Sequence, residues 1–234
     1  MARYNAAVPL LSFLQPTYLL AALLAITIHE ACHAFAAKRL GDDTAEMMGR
    51  LTLNPLAHLD LLGSILFLTV GFGWAKPVPV DPRNFRHPVR GMALVALAGP
   101  VSNLILAAGA YVLLYLIAPA FGSAGLSEFL SGQNAGNPLL TVFIQFLGHS
   151  LFVNLALMAF NLLPVAPLDG SKILQAFVPW RWSDLYDEFL MRGPWILLIL
   201  LLAGDFLGFP FLSQWVFTIS SWTLSAFEWL TPWW

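Results

Sequence analysis

The chain has 234 residues, 59% of them hydrophobic and 10% charged, with a formal net charge of −2. Soluble domains carry about 25% charged residues, so this composition excludes an ordinary soluble domain, and the charge balance excludes a basic nucleic-acid binder. A lone cysteine, Cys32, excludes a disulfide framework and a four-cysteine zinc site. The expected class is an all-α polytopic membrane protein, with about five transmembrane helices, a re-entrant segment and a short β-like loop in one membrane-embedded unit, 1–234.

The N-terminal stretch holds one basic residue, Arg3, and runs past signal-peptide length without a small-residue cleavage pattern, so it is read as retained. A first span is expected from about Tyr18 to Ala37. It contains His29, Glu30 and His33, polar groups that are costly in a bilayer unless they face a polar interior. After a polar stretch comes Leu61 to Phe72, too short to cross and suited to a re-entrant piece. Trp74 to Val80 reads WAKPVPV, where Pro77 and Pro79 exclude a regular helix. In extended form the two prolines blank one edge and leave Lys76, Val78 and Val80 free to pair on the other. Spans from about Met92 to Ala118 and Pro138 to Leu163 follow, separated by a Gly/Ser-rich loop without Lys or Arg. The last apolar stretch, Trp195 to Leu230, reads as two short helices broken near Gly204, Asp205, Gly208 and Pro210. The core would then cover about 18–177 and the C-terminal helices about 190–231.

Short cytoplasmic loops carry an excess of Lys and Arg. With the re-entrant reading, every basic residue except Arg3 falls on one side of the membrane. The expected arrangement is a multi-pass protein with the N-terminus outside and the chemistry toward the cytoplasm.

That chemistry centres on HEACH, residues 29–33. His29 and His33 lie one helical turn apart and can reach one zinc ion, while Glu30 can take a proton from water on that ion. Three ionisable groups on one turn of a span favour a metal over a hydrogen-bonded histidine pair. Cys32 suits apolar packing better than ligation. A catalytic zinc needs a third protein ligand. Asp169, in NLLPVAPLDG at 161–170, is one candidate, but could equally cap the helix that follows it. His149 is the other donor at depth, better suited to an interior hydrogen bond.

HEACH, GPVSN at 99–103 and NLLPVAPLDG at 161–170 together resemble the site-2 protease family of intramembrane zinc metalloproteases, in its minimal form without appended soluble domains. The resemblance implies that Asp169 is the third zinc ligand and that Asn103 helps hold the substrate backbone. On residue chemistry alone Asn103 could instead be an interhelical hydrogen-bond residue, and Asn161 is open to the same two readings. The implied function is peptide hydrolysis within or near transmembrane segments of membrane-protein substrates in the lipid bilayer, with one Zn2+ per chain. Lys76, Val78 and Val80 would pair with an unwound substrate by strand addition. The competing expectation, a zinc-binding transport or sensing protein, leaves Glu30 without a task.

Overall fold

The computed structural model describes residues 14–71, 73–118, 137–206 and 210–231. The expected Gly/Ser-rich outer loop, the N-terminal residues before 14 and the break at Gly208 lie outside them. The long helices start where local chemistry predicts. Helix α1 (Pro16–Arg39) begins on a proline, whose missing N–H is not needed there, and ends on Lys38 and Arg39, which complement the negative end of its dipole. The short α2 (Thr44–Met47) follows. Helix α3 (Leu61–Val70) is capped by the Asp60 side chain, which accepts from Gly63 N. Its ten residues rise about 15 Å, too little to cross a bilayer. Helix α4 (Pro88–Ile117) and α5 (Pro138–Asn161) again start on prolines.

Helices α1, α4 and α5 are each long and apolar enough to cross a membrane, so the chain is an integral membrane protein. They form one bundle. Buried alanines on α1 (Ala21, Ala22, Ala25, Ala34, Ala37) face Ala96, Gly99, Ala107 and Ala110 of α4 and the inner face of α5. Such small residues let backbones approach where lipid supplies no hydrophobic drive. Thr17 meets His149, while Ala25 and Asn154 meet the same residue, Asn103. Helices α1 and α5 are therefore parallel, with α4 antiparallel to both.

After α5, a turn containing Pro164 and Pro167 leads into α6 (Asp169–Gln175), then α7 (Ser183–Phe206) and α8 (Phe211–Leu230). Helix α7 is tied to the Asp169 end of the bundle along much of its length. Tyr186 donates to Ser171 O, Gln175 donates to Asp187, and Leu197 packs with Leu163, Val165 and Leu168. Helix α8 starts at that same end, where the Trp215 indole N–H donates to Ala159 O at 2.8 Å. Its far end reaches Tyr111 of α4, whose hydroxyl bonds Thr231 Oγ1 at 2.7 Å. The chain thus forms two helices that end and restart between Phe206 and Phe211, as expected, but among the described residues neither is one of the helices that length and apolar composition mark as membrane-crossing. Helix α7 begins at Ser183, and its first half carries Asp184, Asp187, Glu188 and Arg192, leaving an apolar stretch well short of the ~20 residues a crossing needs.

The 74–80 segment also differs from expectation. Among the described residues it forms only an isolated bridge, Leu59 to Ala75, and no strand. Lys76 is not free to pair, because its N–H donates to His58 O at 2.8 Å and its carbonyl accepts from the buried Arg50 guanidinium. Val80 packs against the cluster of Ala37, Phe85 and Val95.

Asp42 staples this segment to the end of α1. Fully buried, its carboxylate accepts from Thr44 N, Thr44 Oγ1, Asn84 Nδ2 and Asp81 N. Burial pushes its carboxyl upward, but the hydrogen bonds from Thr44, Asn84 and Asp81 outweigh that and hold it below the usual carboxylate range. Because the folded-state value is depressed, the stabilisation is present at neutral pH and is lost as pH falls through that value. Asp42→Ala leaves these donors unmet and is expected to destabilise the chain by about 1–3 kcal/mol. Unfolding in detergent at pH 7 checks it, and a variant as stable as the parent would deny Asp42 this role.

Candidate metal centre

The helix repeat places His29 and His33 on one face of α1, both buried, with ring centroids 4.6 Å apart. Each ring is fixed through Nδ1. His33 Nδ1 lies 2.7 Å from Val95 O, and His29 Nδ1 lies 2.6 Å from Asn103 Oδ1. Both partners are acceptors, so each Nδ1 carries the proton, and in a neutral imidazole the lone pair then sits on Nε2.

Those two Nε2 atoms point at Asp169. The distances to Oδ2 are 3.2 Å from His29 and 3.3 Å from His33, and Oδ2 is buried without a hydrogen-bond partner. Three electron-rich atoms therefore converge with no proton left to lie between them, an arrangement that repels unless a cation occupies the centre. The spacing suits zinc. Ligand atoms about 2.0–2.1 Å from a tetrahedral zinc stand about 3.3 Å from one another. The donor set of two imidazoles and a carboxylate, with all three atoms within 4.8 Å, fits that ion.

Two glycines make the approach possible. A Cβ on Gly99 would fall 2.5 Å from His29 Cε1 and 2.6 Å from His33 Cε1, so α4 can lie against both rings only with hydrogen there. A Cβ on Gly170 would fall 2.4 Å from Leu162 O, so α6 can fold back under the end of α5 and present Asp169 only with glycine next to it. Leu168, not Asp169, is the N-cap of α6, and Asp169 is its first helical residue, with no capping bond from its side chain. The capping alternative is thereby excluded.

The other candidates take different places. His149 bonds Thr17 Oγ1 at 3.0 Å and meets Tyr18 edge-on, away from Asp169. Cys32 lines an apolar groove between α1 and α4 with Phe35, Leu94 and Val101. Glu30, half-buried beside His29, takes part in no hydrogen bond among the described residues. Asn103 is 0% exposed, and its amide bonds His29, Ala25 O and Asn154, so it supports the His29 ring. Asn161 donates to Leu157 O within α5. The sequence reading missed Val95, Asn154 and Arg50. A main-chain acceptor leaves no sequence signal, and an Asn or Arg gains its partners only through packing.

The fold and this site define a membrane protein with a buried His-His-Asp group suited to holding a metal ion. The sequence profile of peptidase family M50 matches residues 17–202, so the chain belongs to that family, the site-2 protease family. It is 45% identical over 166 residues to "Putative zinc metalloprotease YwhC" of Bacillus subtilis, covering 71% of each chain. It is 31% identical over 204 residues to "Putative zinc metalloprotease Rip2" of Mycolicibacterium smegmatis, covering 86% of this chain and 70% of the relative. No solved structure matches the chain significantly. The protein is a zinc metalloprotease of the site-2 protease kind.

Gly99→Ala is expected to separate α1 from α4 and weaken zinc binding at least tenfold, with overpacking of about 1–3 kcal/mol. Gly109→Ala, where an added Cβ meets nothing within 4 Å, is the control. Zinc titration of both variants checks it. Equal affinity in the two would show that the close approach at Gly99 is not needed for the site.

Proposed function

We propose that this metalloprotease cleaves peptide bonds within or near the transmembrane segments of membrane-protein substrates, with Glu30 as the general base and His29, His33 and Asp169 holding one zinc per chain. The observation that carries the reading is the convergence of His29 Nε2, His33 Nε2 and Asp169 Oδ2 inside a bundle of membrane-crossing helices, with the carboxylate of Glu30 next in sequence to His29.

Zinc bound there supplies Lewis acidity, polarising the scissile carbonyl and making a water acidic enough to lose a proton near neutral pH. Glu30 takes that proton and delivers it to the leaving amine nitrogen. Val95 O and Asn103 keep the imidazoles turned so that their lone pairs face Asp169. Both imidazoles are buried and Asp169 is mostly buried, which strengthens each electrostatic contact among them.

A helical substrate shields its peptide bonds and must unwind locally. With Lys76 occupied, the open part of the expected edge is Val78 and Val80, whose backbone groups enter no described hydrogen bond. Val80 packs on the small cluster of Ala37, Phe85 and Val95, and the Val95 carbonyl bonds His33, so a strand laid along Val78 and Val80 would run beside that cluster. Asn161, the last residue of α5, is the remaining candidate for holding the substrate backbone.

The distribution of Lys and Arg favours the Asp169 end facing the cytoplasm and the N-terminus outside. Helix α8 then makes a fourth crossing and α7 lies along the inner surface. The single membrane-embedded unit includes both.

Glu30→Gln should retain zinc and lose about 10²–10⁴-fold in cleavage of a single-span substrate, whereas Asp169→Ala should lose zinc itself. Metal analysis and a cleavage assay on the same preparations separate the two. Substantial turnover in Glu30→Gln would remove Glu30 from the mechanism, and full zinc in Asp169→Ala would remove the third ligand. For topology, reporters joined after Arg90 and after Thr231 should fall on opposite sides of the membrane, the first in the cytoplasm. Both on one side would mean an odd number of crossings, three or five, and would overturn the fourth.

A further inference from the structure

Asn154 of α5 is 1% exposed and touches neither Asp169 nor a histidine, yet it stands at the head of a hydrogen-bond chain that ends on one. Its Nδ2 donates to Ser150 O at 2.8 Å. A main-chain carbonyl can only accept, so the amide nitrogen of Asn154 must face Ser150, and its Oδ1 must face the other way. There Oδ1 accepts from Asn103 Nδ2 at 2.8 Å. The same Asn103 nitrogen also reaches Ala25 O at 3.3 Å, again an obligate acceptor. Asn103 Oδ1 is therefore left for His29 Nδ1. Two carbonyls that cannot donate thus fix two amides that could otherwise flip, and the amides fix which nitrogen of His29 carries the proton.

We infer that Asn154 is a positioning residue for the metal site, one that acts through Asn103 to hold His29 in the tautomer whose Nε2 lone pair faces Asp169. The inference rests on the metal reading above. His33 needs no such device, because Val95 O fixes its Nδ1 directly. With Asn154 removed, Asn103 keeps only the long bond to Ala25 O. Held by that weaker bond alone, its amide can turn its NH2 toward Nδ1 more readily, which favours the tautomer with the proton on Nε2. That proton blocks the ligand position. Loss of a partner that orients a metal-binding histidine weakens metal binding by about 10–100-fold.

The experiment uses the full-length chain in detergent, stripped of metal and titrated with zinc against a chromophoric competing chelator. Asn154→Leu keeps volume and removes both hydrogen bonds. Asn154→Ser, too short to reach Asn103, gives the same reading if the leucine variant does not fold. Each is expected to weaken zinc by about 10–100-fold. Asn154→Asp, neutral in this interior, accepts from Asn103 with its carbonyl and donates to Ser150 O with its hydroxyl, and should stay within a few-fold of the parent. The effect of Asn154→Leu should vanish in an Asn103→Leu background, since the route through Asn103 is already cut. Parent-like affinity in Asn154→Leu and Asn154→Ser would overturn the inference, as would an undiminished loss in the Asn103→Leu background. A parent chain that binds no zinc would overturn the metal reading itself, an outcome that the titration distinguishes from either of these.

Discussion

The organisation of this protein depends on the convergence of three electron-rich atoms, His29 Nε2, His33 Nε2 and Asp169 Oδ2, at 3.2 and 3.3 Å. Left alone in a low-dielectric interior they repel. Much of the surrounding fold can be understood as what keeps them together: alanine faces that draw α1 and α4 close, a glycine where the rings touch the opposing backbone, and a proline-broken turn that folds α6 back beneath α5. A cation bound among these atoms would also stabilise the fold, because the three residues come from two helices far apart in the chain.

The sequence disclosed the site in proportion to how local each part is. His29 and His33 needed only the helix repeat, and the structure places them as that repeat requires. Asp169 was evenly balanced between ligand and cap on chemistry alone. Its assignment depends on where the turn at Pro164 and Pro167 aims the chain, a tertiary fact that spacing cannot carry. Asn103 was open between substrate and interhelical bonding because both use the same amide. Its bonds to Ala25 and Asn154, one on each of two other helices, arise from packing that the sequence does not display.

The fold was legible to a similar degree. Helices α1, α4 and α5 announce themselves by unbroken apolar length and by prolines at their starts. Helix α7 did not, because hydropathy registers the apolar run after Trp195 and says nothing of the acidic turn that precedes it or of the partners that hold it at one end of the bundle. Lys76 was misjudged for a comparable reason. Alternation along WAKPVPV identifies which backbone groups share an edge, but the groups that occupy that edge, His58 O and the Arg50 guanidinium, come from a separate stretch of chain.

The two histidines are held by different kinds of partner, and this gives them different evolutionary exposure. His33 leans on the carbonyl of Val95, which every amino acid at that position would supply. His29 leans on side chains, so a single codon change at Asn103 or Asn154 can loosen it while leaving the HEACH sequence intact. Natural variation in metal affinity among chains with unaltered ligands would therefore originate on the His29 side of the site. A survey of substitutions that silence such an enzyme without touching its motif should find them concentrated where α4 meets α5.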